Sequence, residues 1–166
     1  MQLLRFARLF QGAFLTLALS GLTQAGTAEE AQAAFTKFFA AFLSRNHAQV
    51  AAMFAADAQF YGTTSQDLVT TPEGVLRYFT IGLDSPDARE AKPLQLTTTA
   101  LTDSIVLVAG TWKVDRTLDG KTTTGGPFRL TAVLQKRNDR WLIVQFHNSP
   151  RPAPPASPDA SRQMPR

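Results

Sequence analysis

His147 closes the run RWLIVQFHNSPRP, Arg140 to Pro152, and is one of two histidines in a chain of 166 residues. A neutral imidazole donates and accepts, and it titrates near working pH, so a histidine there can act as a general base or orient a ligand. The same position equally suits a strand-end side chain that hydrogen-bonds a neighbouring chain or backbone. Proton transfer on an apolar substrate needs a carboxylate base and donors for the developing oxyanion. Tyr61, on a short expected strand, offers a phenol, and Asp67, in the loop after it, offers a carboxylate. His147, Tyr61 and Asp67 are therefore the catalytic candidates, although no spacing joins them into an acid–base pair. Asp57 is better explained as a helix-end and turn residue.

Metal chemistry finds less support. His47 and His147 are 100 residues apart, the chain has no cysteine, and no HxH or HxxE spacing occurs. Neither a metal site nor a cofactor is expected.

These candidates are positioned by a run of helices followed by a run of strands. Phe35, Phe38, Phe39 and Phe42 recur at helical spacing up to about Arg45, with Thr27 and Glu30 forming a capping box before them. Asn46 caps a short second helix to Ala55, and a strand follows from Ala58 to Gly62. Thr71-Pro72-Glu73 opens a third helix, with Val75, Tyr78, Phe79 and Leu83 on its apolar side. After Pro93 come the strands 94–101, 104–116, 124–137 and 141–149, joined by turns at Thr102-Asp103, Leu118-Asp119-Gly120-Lys121 and Asn138-Asp139. Gly125-Gly126-Pro127 marks an irregular start or bulge in the third of these. Helices followed by an antiparallel meander define an α+β class.

Alternate side chains of a strand share a face. Trp141, Ile143, Gln145, His147 and Ser149 form one set, and Leu142, Val144, Phe146 and Asn148 the other. The first set turns polar toward its end, as at a pocket mouth or an interface.

The two ends of the chain differ from its middle. Residues 1–25 carry Arg5 and Arg8 before an apolar core from Ala13 to Leu22, and Thr23-Gln24-Ala25 places small residues at the −3 and −1 positions. This is the pattern of a cleaved signal peptide, cut after Ala25 or, as a second choice, after Ala28. A secreted or periplasmic protein follows, with no stable membrane span after cleavage. Residues 150–166 hold six of the ten prolines and no large aliphatic or aromatic side chain, so a Pro-rich disordered tail is expected. The net charge of +4 comes from these ends, because residues 26–149 carry twelve basic and twelve acidic side chains. A neutral body has no electrostatic footprint for nucleic acid. Residues 26–149 are of ordinary size for a single domain.

The element order, AADAQF entering the first strand, Pro72-Glu73-Gly74 opening the third helix and the terminal WLIVQFHNS together resemble the NTF2-like superfamily, and within it the SnoaL-like and DUF4440 (SgcJ/EcaC-type) proteins. The association domain of calcium/calmodulin-dependent kinase II is a near relative in that comparison. The resemblance implies a cystatin-like cone: three N-terminal helices packed on a strongly curved antiparallel sheet, with a conical pocket open at one end. It also implies a homodimer, or a higher ring, packed through the outer sheet faces. Against the association domain, Lys113 falls where that family carries a pocket arginine and Ala132 where it carries a second. Arg129 is displaced by three residues, so Lys113, Arg129 and His147 converge on a carboxylate only if the Gly-Gly-Pro segment bulges. In this architecture Trp112, Tyr78, Phe79 and Phe60 line an apolar cavity. The expected ligand contacts are Trp112, Lys113, Arg129, Gln145, His147 and Tyr61.

The reading is an exported, homodimeric domain that binds a small apolar or acidic molecule in its cone. Its alternatives are an isomerase, dehydratase or hydrolase of the same fold using His147 with Tyr61 or Asp67, or a self-assembly module without ligand.

Overall fold

The computed structural model describes residues 11–152, with side chains from Gly26 onward. Arg5, Arg8 and residues 153–166 of the proline-rich segment lie outside the described residues. Helices α1 (Gln11–Leu43), α2 (His47–Ala51) and α3 (Pro72–Leu83) combine with strands β1 (Phe54–Tyr61), β2 (Ala88–Thr102), β3 (Ile105–Leu118), β4 (Lys121–Arg137) and β5 (Arg140–Pro150). Among the described residues no helix is long and apolar enough to cross a membrane.

The phenylalanine stripe of α1 lies on the sheet: Phe35, Phe38 and Phe39 are buried, and Phe42 packs partly buried beside them. The capping box does not start this helix. α1 runs unbroken through Thr27–Glu30, and both expected cleavage positions fall within it. Glu30 instead accepts from Lys136 Nζ at 2.9 Å and Trp141 Nε1 at 3.4 Å, fastening the helix to the β4–β5 hairpin. The expected caps hold at the other two helices. Asn46 accepts from the Gln49 N–H at 3.0 Å, and Thr71 accepts from the Gly74 N–H at 3.1 Å ahead of Pro72.

The second helix is shorter than its sequence suggests. It stops at Ala51 because the chain enters the sheet at Phe54, where the Ile143 N–H donates to Met53 O at 2.9 Å. The strand order is β1-β5-β4-β3-β2. β1 lies parallel to β5, while the other three pairings are antiparallel. The sheet is thus mixed at one edge rather than wholly antiparallel. A parallel neighbour needs a long crossover, and everything from α3 to β4 supplies it. Two hairpins turn through left-handed pairs, Asp119-Gly120 and Asn138-Asp139, as the twist of two-residue turns requires.

Three bulges decide which side chains reach the interior. Leu94 is an extra residue between Pro93 and Gln95, opposite the consecutive pair Trp112 and Thr111. Gly126 and Pro127 together oppose Lys113. Val144 is extra between Ile143 and Gln145, opposite the consecutive pair Leu134 and Val133. Bulges bend a strand and raise its twist, and two of them flank Trp112, where the sheet curls over the helices. Gly110 belongs to the same bend: a Cβ there would stand 2.1 Å from the Gln95 carbonyl oxygen.

Candidate functional site

At the open end of the curled sheet lies a cavity of about 320 Å³. Phe38 and Phe42 of α1, Tyr78 and Phe79 of α3, and Trp112 and Phe146 of the sheet form its apolar walls. The rings interlock: Phe38 stands 5.4 Å from Phe146 and 6.0 Å from Phe79, and Phe60 lies 4.8 Å from Tyr78 between centroids. Gly62 completes the wall, since a Cβ there would meet the Tyr78 ring tip at 2.1 Å. Such a cavity falls at the small end of ligand-pocket sizes and has the usual apolar lining.

Its polar equipment is sparse. Asn148 is buried at 6 % exposure. Its Oδ1 accepts from Trp112 Nε1 at 2.8 Å, and its Nδ2 donates to Thr63 Oγ1. Arg116 also lines the cavity, with a side chain half open to solvent. Its Nε lies 4.0 Å from Oδ2 of Asp87, a buried carboxylate. Asp87 in turn accepts from Arg89 Nε at 2.8 Å and Nη2 at 3.0 Å. The Arg89 hydrogen bonds hold the Asp87 carboxyl far below the usual carboxylate range; burial opposes this, while Ser85 and the two arginine charges add to it. Arg89 Nη1 also donates to Gly82 O at 3.0 Å, joining the start of β2 to α3, so that Arg116 approaches a fixed anion.

Of the residues singled out from the sequence as ligand contacts, Trp112 lines this cavity and the others do not. Phe146 and Asn148 point inward, so His147 between them points outward and is exposed. Tyr61 pairs with His147 at a ring separation of 6.1 Å, on the same outer face. Gln145, one alternation before His147, shares that face. Arg129 lies between Phe128, which lines the cavity, and the buried Leu130, so it too faces outward. Lys113 lies between Trp112 and Val114, both in the wall, and its ammonium sits 3.5 Å from Asp115. The Gly-Gly-Pro bulge is present, yet Lys113, Arg129 and His147 share the outer face and not the cone. Asp67 is exposed in the loop after β1.

The physical reason is the bulge at Val144. Ile143 is buried on the inner face, and unbroken alternation from it would bring Gln145 and His147 inward. The extra residue reverses the strand, so Phe146 and Asn148 enter instead. Arg116 was recoverable from the sequence by stepping from Trp112 through Val114. Thr63, in a loop, carries no such signal. Among the described residues no group of three or more His, Asp or Glu side chains could hold a metal ion.

A long helix gripped by a curled five-stranded sheet, with an apolar cavity at its open end, defines the NTF2-like cone. Residues 31–154 match the model of the SnoaL-like domain, and the chain belongs to that family. Solved structures agree. A candidate calcium/calmodulin-dependent protein kinase II association domain from Xanthomonas campestris is 28% identical, with a TM-score of 0.67 over 74% of this chain and 86% of its own. A candidate dehydratase of the NTF2-like family from Streptomyces avermitilis is 17% identical, with a TM-score of 0.67 over 76% of this chain and 96% of its own. ActVI-ORFA from Streptomyces coelicolor is 17% identical, with a TM-score of 0.65 over 75% of this chain and 96% of its own. At these lower identities the likeness concerns the fold alone. None of the curated proteins matches the chain.

Proposed function

We propose that this chain is an exported, homodimeric binding protein that takes up a small, largely apolar molecule in its cone, with any anionic group of that molecule turned toward Arg116. The cavity carries this reading: about 320 Å³ of space walled by aromatic rings, with few polar side chains, among them Asn148, Thr63 and Arg116. Catalysis through His147 with Tyr61 or Asp67 is less well supported, because none of the three lines the cavity. Export rests on the N-terminal pattern of Arg5, Arg8, the apolar core and Thr23-Gln24-Ala25. Pairing rests on the outer sheet face, which no described element covers and where Tyr61, His147, Thr131 and Thr97 stand exposed along one row of paired residues.

Two aromatic probes test the cavity, the anion anilinonaphthalene sulfonate and its neutral relative N-phenyl naphthylamine. Arg116→Gln should weaken the anion about threefold to fivefold, the range of a partly solvated ion pair, and leave the neutral probe unchanged. His147→Ala should leave both unchanged. Loss of binding in His147→Ala with full binding in Arg116→Gln would move the site to the outer face. Native mass spectrometry of the protein purified from its own cells should show two chains and a copurified small molecule. A bare monomer would sink the dimer and the binder together.

A further inference from the structure

The hydrogen bonds behind the cavity wall run in one direction, and that direction specifies what a ligand must offer. The indole N–H of Trp112 donates and cannot accept. The amide atom of Asn148 that faces it at 2.8 Å must therefore be the oxygen. This fixes the orientation of the side-chain amide. Nδ2 is then turned to Thr63, and since that nitrogen only donates, Thr63 Oγ1 must accept. A hydroxyl that accepts from one neighbour keeps its own proton for another. Among the described residues no acceptor takes it, and Thr63 lines the cavity. Successive donors in such a chain polarise one another, so the terminal hydroxyl is a better donor than an isolated threonine.

We propose that Thr63 is the cavity's orienting donor, the end of a Trp112–Asn148–Thr63 relay, and that the ligand is an apolar ring system bearing a carbonyl or ether oxygen on Thr63 Oγ1. This rests on the binding role proposed for the cone and names the chemical class of its occupant. A ligand oxygen at this point takes the Thr63 proton, whereas a ligand that presents only carbon there leaves the hydroxyl without an acceptor among the described residues. The discrimination comes from an unmet, partly buried donor rather than from shape.

The test uses two probes of nearly equal size and shape, acetylnaphthalene and ethylnaphthalene, which differ by a carbonyl in place of a methylene. Titrated into the wild-type protein, the ketone should bind about fivefold more tightly, the net worth of one hydrogen bond. Thr63→Val keeps the shape, removes the hydroxyl and should abolish the preference, while Thr63→Ser should retain it. The ketone should also shift the Trp112 indole proton resonance in the wild type, and no longer in Thr63→Val. Equal binding of the two probes to the wild type, or a preference that survives in Thr63→Val, overturns the relay while leaving the cavity a binding site. Failure of both probes to bind the wild type removes the cavity reading itself, and the relay falls with it.

Discussion

Asp87→Asn should cost about 2–3 kcal/mol of folding stability at neutral pH and remove much of the protein's sensitivity to acid. Asp87 accepts two hydrogen bonds from Arg89, whose side chain is only 1% exposed. Replacing the carboxylate by an amide leaves that guanidinium buried without its counter-charge. The pH dependence follows from the sign of the shift. The Asp87 carboxyl titrates lower in the folded chain than in the unfolded one, chiefly because Arg89 donates to it. Its contribution is therefore complete above the unfolded carboxylate range, near pH 4, and is lost progressively as the pH falls through the lower folded value. Urea midpoints at pH 7 and pH 3 should fall further apart in the wild type than in Asp87→Asn. Equal separations would mean that the pair is solvated and contributes little.

Phe38→Ala should destabilise the fold more strongly, by about 3–5 kcal/mol. Phe38 is 3% exposed and stands within 6.2 Å, between ring centroids, of Phe54, Phe79 and Phe146. Through it α1 meets α3, the edge strand β1 and its neighbour β5. It also lines the cavity, so its truncation joins the new void to existing space instead of leaving a sealed hole. An apolar molecule can enter that enlarged space. Saturating N-phenyl naphthylamine should return part of the lost stability, by the linkage between binding and folding, and should raise the denaturation midpoint of the variant more than that of the wild type. A cost below about 1 kcal/mol would mean that the phenylalanine stripe does not hold the helix to the sheet.

Much of the architecture was legible because it is written in local chemistry. The α1 stripe follows from the spacing of its phenylalanines. Asn46 and Thr71 cap helices for a reason contained in three or four residues. The Asp119-Gly120 and Asn138-Asp139 turns follow from side chains that tolerate left-handed backbone. What was hidden depends on distant partners. Phe54 joins the sheet early because Ile143 lies beside it, and only the folded chain brings the two together. Thr27 and Glu30 carry a helix-start signature, yet α1 continues through them and Glu30 is drawn to Lys136 and Trp141. Gly125-Gly126-Pro127 announced its bulge with residues that suit one. Val144 did not, since an aliphatic residue in Trp-Leu-Ile-Val-Gln-Phe gives no local sign of an interrupted ladder. The cavity side of β5 was misassigned for that reason alone, and with it Gln145 and His147.

That single extra residue divides β5 into two halves of opposite alternation. The half before Val144 keeps Ile143 in the core, and the half after it selects what the cavity and the outer face receive. The same strand paired without that bulge would exchange its two surfaces at the mouth, bringing an imidazole to the cone and sending the amide to the outer face, whereas loss of the extra residue itself would keep Phe146 and Asn148 inward. Within one scaffold, the difference between an acid–base group and a neutral hydrogen-bonding group facing the ligand is then a matter of whether one residue is bulged out of the ladder, with no substitution required.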